Sequence, residues 1–257
     1  MKNLFSVDGK VAIVTGGSRG IGAMIARGLV ENGVKTYITS RKADVCDQMA
    51  AELSKYGVCI SIPADLSSME GINGFVSAFS GKEQTLDILV NNAGATWGAP
   101  LDDFPESGWD KIMDINVKSI FFLTKALLPQ LRAAASGKKD HGTIINIGSI
   151  DGLHAPAFDN YSYSASKAAV LHMTRVLAKK LVKDNITVNA IAPGPFESKM
   201  MAAFLSSFGE AIRASIPMGR IGEPEDVAGA TIYLSSRAGA YVTGATIPVD
   251  GGFINCR

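Results

Sequence analysis

The chain has 257 residues, with 25 basic and 24 acidic side chains and a formal net charge of +1. This balance argues against nucleic acid or an anionic membrane as a partner, because no long-range field would attract either. Three cysteines without a C-x-x-C pair argue against a disulfide framework or a metal site and indicate a reducing compartment. The sequence shows no secretory signal, and no apolar run reaches the ~18 residues of a membrane span. We therefore expect a cytoplasmic protein with no metal.

In chain order, short apolar runs rich in β-branched residues alternate with longer segments of helical period. The sequence predicts strands at 10–16, 34–40, 58–65, 86–94, 143–149, 186–194 and 246–252. It predicts helices at 21–33, 43–56, 68–80, 108–135, 161–183 and 224–235. Residues 195–218 have no steady period, so we expect a mobile segment there that serves as a substrate lid.

The predicted strands are apolar without polar alternation, which indicates burial on both faces of a parallel sheet covered by helices. Regular alternation of strand and helix is typical of a doubly wound α/β fold. We therefore expect a single-domain Rossmann fold over residues 1–257, with a parallel sheet of about seven strands.

The turn after the first strand, TGGSRGIG at 15–22, is rich in glycine. Such a turn lets the backbone approach a pyrophosphate, and the N–H groups that open the next helix bind anions. The spacing reads G-x-x-x-G-x-G instead of G-x-G-x-x-G, and a turn needed only for packing is the alternative. Its position after the first strand of an α/β pattern favours a dinucleotide site.

The end of the second strand indicates which dinucleotide is bound. Folds that bind NAD usually carry an acidic residue here, whereas this chain reads Ser40-Arg41. Arg41, with Arg19 from the glycine-rich turn, could pair with a 2′-phosphate, although both could also be solvated surface residues. The sequence therefore favours NADP(H).

The stretch YSYSASK at 161–167 holds two tyrosines and a lysine on a predicted helix. Tyr163 and Lys167 are four residues apart and share one face, whereas Tyr161 lies about 120° further around the axis. We expect the ammonium to lower the phenol pKa by about 1–3 units. Tyr163 could then pass a proton to or from a carbonyl oxygen during hydride transfer.

Two polar residues elsewhere fit the same chemistry. Ser149 ends the fifth predicted strand, where open α/β sheets place ligands, and its hydroxyl could hold a carbonyl. Asn116, on the long helix before it, could anchor a water near Lys167. A helix cap and a core amide are the alternatives for these two residues. Asp151, two residues after Ser149, could hydrogen-bond substrate.

The motifs TGGSRGIG, NNAG, YSASK and PGPFES, with Asn116 and Ser149, resemble those of the short-chain dehydrogenase/reductase family over about residues 5–253. The resemblance implies a catalytic tetrad of Asn116, Ser149, Tyr163 and Lys167. It implies that Asp65 binds the adenine, that Asn91 and Gly94 contact the adenosine half, and that Pro193-Gly194 abut the nicotinamide. The implied cofactor contacts are Gly16, Ser18, Arg19, Gly20, Ile21, Gly22, Ser40, Arg41, Asp65, Leu66, Asn92, Ala93, Gly94, Tyr163, Lys167, Pro193, Gly194 and Ser198. Ser198 stands where the family often has threonine.

Within the family, IPADLSS, DILVNNAG, Trp97, SIPMGR and GAYVTG resemble bacterial 3-oxoacyl-thioester reductases, including those of rhamnolipid-type acyl metabolism. This implies NADPH-dependent reduction of a 3-oxoacyl thioester, carried on acyl-carrier protein or CoA, by a homotetramer. Apolar residues at 196–208 could cover an acyl chain or simply pack on the core. Candidates for docking an acidic carrier protein are Arg132, Lys138 and Lys139. The alternatives are a sugar, polyol or steroid alcohol dehydrogenase and an NADP-binding sensor without catalysis.

Overall fold

A computed structural model of the chain describes residues 2–136, 141–198 and 202–256, with the main chain alone over 202–208. Seven parallel strands form one sheet in the order β3-β2-β1-β4-β5-β6-β7. They are β1 Val11–Thr15, β2 Lys35–Thr39, β3 Cys59–Ser61, β4 Ile88–Asn91, β5 Gly142–Ile147, β6 Ile186–Pro193 and β7 Thr246–Val249. The predicted seven-stranded parallel fold is confirmed.

Eight α-helices accompany the strands in the described part of the chain. They are α1 Gly20–Glu31, α2 Ala43–Leu53, α3 Met69–Ser80, α4 Glu106–Met113, α5 Ser119–Ala135, α6 Tyr161–Leu181, α7 Ala202–Ser215 and α8 Pro224–Ser235. Each of these helices is too short or too polar to cross a lipid bilayer.

The sheet is covered on both faces, as the apolar strands predict. Ile13 and Val14 are adjacent on β1 and fully buried, yet they pack in different clusters because successive strand residues point to opposite faces. Val14 packs in the cluster that holds Leu29 of α1, whereas Ile13 packs in the cluster that holds Phe75 of α3.

Two sequence-based assignments are wrong. The helix predicted at 108–135 is divided by a π-helical turn, Asp114–Lys118, between α4 and α5. The stretch 195–218, expected to lack regular structure, contains α7, because its prolines, Pro195 and Pro217, flank the helix instead of interrupting it. Met200 and Met201, expected to cover the substrate, lie outside the described residues, as do the side chains of Phe204, Leu205 and Phe208.

Buried amides fix the carboxyl ends of the central strands. Asn91 Nδ2 donates to Asn146 Oδ1 at 2.9 Å, and Asn146 Nδ2 donates to Thr174 Oγ1 at 2.9 Å. This chain of hydrogen bonds joins β4, β5 and α6 inside the core. The resemblance also implies that Asn91 helps to fix the central strand, and its side chain does so in the core; its contact with an adenosine stays a prediction.

Candidate active site

The strand order reverses between β1 and β4, so a crevice opens beyond their carboxyl ends. At the bottom of this crevice, the Thr15 hydroxyl accepts hydrogen bonds from the main-chain N–H groups of Asn92 and Ala93, both at 2.9 Å. Asn92 Nδ2 in turn donates to the Thr15 carbonyl at 2.8 Å. These contacts fix the loop after β4 against the glycine-rich turn.

The glycine-rich turn needs its glycines for shape. Gly16 and Gly20 adopt φ angles of 66° and 54°, which favour glycine. A Cβ on Gly16 would lie 2.9 Å from Asn92 Nδ2, and one on Gly22 would overlap the Gly16 carbonyl. Arg19 caps α1 without a side-chain hydrogen bond to the helix. Ser18 is buried and Ile21 half-buried beside it.

Arg19, just before α1, and Arg41, just after β2, are both exposed. Ser40 donates to the Lys42 carbonyl at 3.3 Å. Asp65 follows β3 and accepts from the main-chain N–H of Ser67 at 3.0 Å, while Leu66 is buried beneath it. Burial acts to raise the pKa of Asp65, but the Ser67 hydrogen bonds and the Arg41 charge outweigh it, so the net pKa is lowered.

The predicted Tyr–Lys face is present on α6. Lys167 Nζ lies 5.5 Å from the centre of the Tyr163 ring and donates to the Ile147 carbonyl at 2.8 Å. Ser149 is buried at the end of β5, and its hydroxyl lies close enough to the Tyr163 phenol to act on the Tyr163 pKa. It also caps the short 3-10 turn Ile150–Gly152, because its hydroxyl accepts from the Asp151 N–H at 3.1 Å.

The expectation that Lys167 lowers the phenol pKa is wrong for this structure. Burial raises the pKa of Tyr163 to about 12, opposed by the Ser149 hydrogen bond and reinforced by the Asp151 carboxylate. Burial also lowers the pKa of Lys167 to about 8, opposed by Asp151. The ammonium is directed at the Ile147 carbonyl rather than at the phenol oxygen, and desolvation therefore dominates.

Asn116 lies in the π-helical turn and is buried. Its Oδ1 accepts from Ala95 N–H at 2.9 Å, and its Nδ2 donates to the Ala95 carbonyl and to Ser166 Oγ at 3.0 and 2.9 Å. A Cβ on Gly94 would meet Asn116 Oδ1 at 3.0 Å. Both N–H donors of the amide are thus used in joining the loop after β4 to α6, and only Oδ1 keeps a second acceptor site for a water.

The segment after β6 closes the crevice from the other side. Pro193 is buried, and Gly194 N–H donates to the Val249 carbonyl at 3.0 Å. A Cβ on Gly194 would lie 2.8 Å from Asp250 Cα. Among the described residues, a Cβ on Gly20 would meet Ser198 Cβ alone, at 3.4 Å, so Ser198 faces the glycine-rich turn.

Comparisons with known proteins agree with this arrangement. The family model described as Enoyl-(Acyl carrier protein) reductase matches residues 16–254. A Pseudomonas aeruginosa protein named rhamnolipids biosynthesis 3-oxoacyl-(acyl-carrier-protein) reductase is 49% identical over 98% of this chain and 99% of its own. The chain belongs to the short-chain dehydrogenase/reductase family. The resemblance drawn from its motifs is thus confirmed.

A solved structure and one further relative show the range of the family. The solved Pseudomonas aeruginosa RhlG/NADP active-site complex has 49% identity and a TM-score of 0.95, and it covers 98% of this chain and 99% of that chain. A 2-dehydro-3-deoxy-D-gluconate 5-dehydrogenase of Dickeya dadantii is 36% identical over 98% of each chain. The family therefore includes both acyl-thioester and sugar-acid enzymes.

The crevice fits a dinucleotide on structural grounds. Of the residues that the structure describes, a Cβ on Gly20 would come within 4 Å of Ser198 alone, and the opening N–H groups of α1 have no side-chain cap. Arg19 and Arg41 are exposed, and the Arg41 charge acts on Asp65. Within the described ranges, no three His, Cys, Asp or Glu side chains come together as metal ligands.

Three residues of this site were not predicted from the sequence. Thr15 joins the two central strands, Ser166 connects Asn116 to α6, and Asn160 donates to the Asp151 carboxylate at 3.0 Å. Thr15 follows a strand and precedes the glycines, a position that could have signalled its role. Asn160 and Ser166 gave no such signal, because their partners are distant in the sequence or lie in irregular turns.

Proposed function

We propose that this chain is an NADPH-dependent oxidoreductase that reduces the ketone of a 3-oxoacyl thioester to the 3-hydroxyacyl thioester. The observation that carries the proposal is the Ser149 hydroxyl beside the Tyr163 phenol, with Lys167 on the same helix face as Tyr163, at the carboxyl edge of the sheet. The substrate class rests on the Pseudomonas relative, which is 49% identical over nearly the whole chain.

The proposed chemistry uses groups already in place. NADPH, when bound, supplies the hydride. Ser149 holds the substrate carbonyl oxygen by a hydrogen bond, beside the Tyr163 hydroxyl. As the new C–H bond forms, the carbonyl π electrons move to oxygen, and that oxygen takes the proton of Tyr163. Lys167 provides a positive charge near the phenolate that remains, until a proton from solvent restores it.

The cofactor roles are also proposals. Gly16, Gly20 and Gly22 would let the backbone approach the pyrophosphate, and Arg41 with Arg19 would hold the 2′-phosphate. Asp65 would bond the adenine, with Ser40 and Leu66 beside it. The nicotinamide would lie against Pro193-Gly194 and Ser198, and its ribose at Lys167. The remaining implied contacts are Ser18, Ile21, Asn92, Ala93 and Gly94.

The family model's description names an enoyl reductase, whereas we propose ketone reduction. A ketone oxygen needs both a hydrogen-bond donor and a proton donor as hydride arrives, and Ser149 with Tyr163 provides both at one point. Hydride addition to an enoyl thioester also develops charge on an oxygen, that of the thioester, so the choice between the two reactions rests on the Pseudomonas relative, which is named a 3-oxoacyl reductase.

We also propose a homotetramer and a cytoplasmic location. The assembly is supported by exposed apolar side chains on the two longest helices, Phe121 on α5 at 42% and Val176 on α6 at 56%. The cysteines described, at 46, 59 and 256, are unpaired, as a reducing compartment favours. Sedimentation at micromolar concentration would test the assembly, and a 27.0 kDa species alone would refute it.

The carrier of the acyl group could be CoA or an acyl-carrier protein. Of the basic candidates for docking the latter, Arg132 forms an ion pair with Asp184 at 2.9 Å, while Lys138 and Lys139 lie outside the described residues. The apolar stretch 196–208 includes Phe196, which is buried, so this residue packs in the core instead of covering substrate.

The deciding experiment follows the loss of NADPH absorbance with a 3-oxoacyl-CoA, in parallel with NADH. Tyr163→Phe should keep NADPH binding and lose nearly all turnover. Tyr161→Phe is the matched control, because the half-buried Tyr161 lies on another face of α6 and donates to Asp159 at 2.8 Å, so it should retain most activity. Equal losses in the two variants would refute the assignment of Tyr163 as the proton donor.

Other outcomes distinguish the alternatives. Turnover of sugar acids, polyols or steroids in place of the thioester would favour the dehydrogenase alternative, for which the Dickeya relative is an argument. Tight NADPH binding with no turnover of any carbonyl would favour a sensor. Competition between a 3-oxoacyl-CoA and a sugar acid in one assay ranks the two substrate classes directly.

A further inference from the structure

The loop between β5 and α6 contains a chain of hydrogen bonds that the proposed reaction does not use. Asn160 Nδ2 donates to Asp151 Oδ2 at 3.0 Å, and Asn160 Oδ1 accepts from Ser164 Oγ at 2.8 Å. Asp151 is bonded through its N–H to Ser149 Oγ. A continuous path of contacts therefore runs from the Ser149 hydroxyl to the first turn of the helix that carries Tyr163.

The turn that holds Asp151 lies directly on that helix. A Cβ on Gly152 would be 2.7 Å from the Lys167 carbonyl carbon and 2.8 Å from Ala168 N. Such close approach of two main chains leaves little freedom in how the turn sits. The Asp151 side chain is 18% exposed, with one oxygen on Asn160 and the other 3.6 Å from His154 Nε2, too long for a hydrogen bond.

From this geometry we propose that Asp151 and Asn160 are a positioning pair for the reaction. Asn160 ties the Ser149 turn to the start of α6, and the Asp151 carboxylate places a negative charge beside Tyr163 and Lys167. The proposal deepens the function proposed above and rests on it. It differs from the expectation that Asp151 binds substrate, because one carboxylate oxygen is already bonded to Asn160.

The electrostatic part of the proposal depends on which charged groups lie near Tyr163 and Lys167. The Asp151 carboxylate acts to raise the pKa of both Tyr163 and Lys167. His154, when protonated, would oppose it. The strands β5 and β6 carry no titratable side chain, and Asp250 beyond β7 accepts from two main-chain N–H groups of its own turn. The charged side chains of α4 and the π-helical turn are exposed or half-exposed: Glu106, Asp110, Lys111, Asp114 and Lys118.

Two variants separate the charge from the hydrogen bond. Asp151→Asn keeps an oxygen that can accept from Asn160 but removes the charge. Asn160→Ala removes the bridge but keeps the charge. We measure kcat/KM for ketone reduction against pH. Reduction needs a protonated Tyr163, so its rate falls as Tyr163 and Lys167 lose protons. Asp159→Asn, in the same loop and bonded to Tyr161, is the matched control.

Loss of the Asp151 charge shifts the pKa of Tyr163 and the pKa of Lys167 in the same direction. Removing a negative charge lowers the pKa of Tyr163 and of Lys167, so the pH of half-maximal kcat/KM on the alkaline side should fall. We expect Asp151→Asn to lower it by at least about half a pH unit. We expect Asn160→Ala to lose about tenfold in kcat with the midpoint unmoved, because the donor and the holding hydroxyl are misaligned. Asp159→Asn should match the wild type.

The proposal is refuted if the pH profile of kcat/KM for Asp151→Asn superimposes on that of the wild type. It is also refuted if Asn160→Ala shifts the alkaline midpoint as much as Asp151→Asn does. Should Asp151→Asn fail to fold, Asp151→Ala carries the test, with both the shift and the kcat loss expected. If the wild type reduces another ketone but no 3-oxoacyl thioester, the proposed substrate fails and the variants are compared on that ketone. A wild type that reduces no ketone overturns both proposals.

Discussion

The close main-chain contact beside the proposed catalytic residues gives a quantitative prediction, Gly152→Ala. The added Cβ would lie 2.7 Å from the Lys167 carbonyl carbon, 2.8 Å from Ala168 N and 3.0 Å from the Lys167 oxygen. Favourable contacts of this kind begin near 3.5 Å, so the turn must move by roughly 0.7 Å. Because all three atoms are main chain in the middle of α6, the turn moves rather than the helix.

The displacement carries Ser149 with it, since Ser149 caps this same turn. Misplacement of a reacting group by about 1 Å can cost 10²-fold in rate, so we expect Gly152→Ala to lose about 10- to 100-fold in kcat/KM. Overpacking should also cost about 1–3 kcal/mol of unfolding free energy. The assay is ketone reduction with NADPH, together with chemical denaturation.

The matched control is Gly74→Ala, on the exposed side of α3, where a Cβ would meet nothing within 4 Å. This substitution should leave activity unchanged and raise stability by up to about 1 kcal/mol, because alanine favours helix over glycine. A Gly152→Ala variant with wild-type kcat/KM and unfolding midpoint would refute the claim that this contact fixes the active-site turn.

Three further predictions test the cofactor, the core and the acid response. Arg41→Ala should weaken NADPH binding far more than NADH binding, and an unchanged preference in titrations with both would remove Arg41 from the 2′-phosphate site. Asn146→Ala should cost about 1–3 kcal/mol by denaturation, because it removes the shorter of the two acceptors of the buried Asn91 amide and leaves only Thr124 Oγ1 at 3.3 Å, whereas Asn73→Ala on the exposed face of α3 should cost almost nothing. Burial acts to raise the pKa of Glu83, but hydrogen bonds from two β2 side chains outweigh it and leave the pKa lowered. Its stabilising effect is therefore complete above the ordinary carboxyl value of about 4.3 and is lost as pH falls through the folded-state pKa. Glu83→Gln should flatten the fall of melting temperature below that pH, and an unchanged slope would contradict this.

Most of the fold could be predicted because it depends on local patterns. The apolar runs of β1 and β4–β6 leave no alternative to a sheet buried on both faces, and the strand ends are correct to within a few residues. The π-helical turn could not be predicted, because one inserted residue barely disturbs the apolar period of 108–135. That turn is fixed by the distant contacts of Asn116 with Ala95 and Ser166.

The positions of the candidate-site residues could be predicted from the sequence, but their interactions could not. The spacing of Tyr163 and Lys167 placed them on one face of α6, as the structure has them. Their pKa values could not be obtained from spacing, since these depend on burial and on where the ammonium points. The contribution of Asp151 depends on the path of a loop with no periodic pattern. Its hydrogen-bond partner in that loop, Asn160, is nine residues away in the sequence.

The corrected pKa values favour one resting state of the site. With the Tyr163 pKa near 12 and the Lys167 pKa near 8, both groups hold their protons at neutral pH. A site that needed a phenolate would have to ionise Tyr163 first, against its burial. A site that donates a proton needs no such step, and the alkoxide formed on reduction is basic enough to take a proton from a phenol of this pKa. The protein by itself therefore holds Tyr163 as an acid, ready for the reductive direction, and the Asp151 carboxylate strengthens that state.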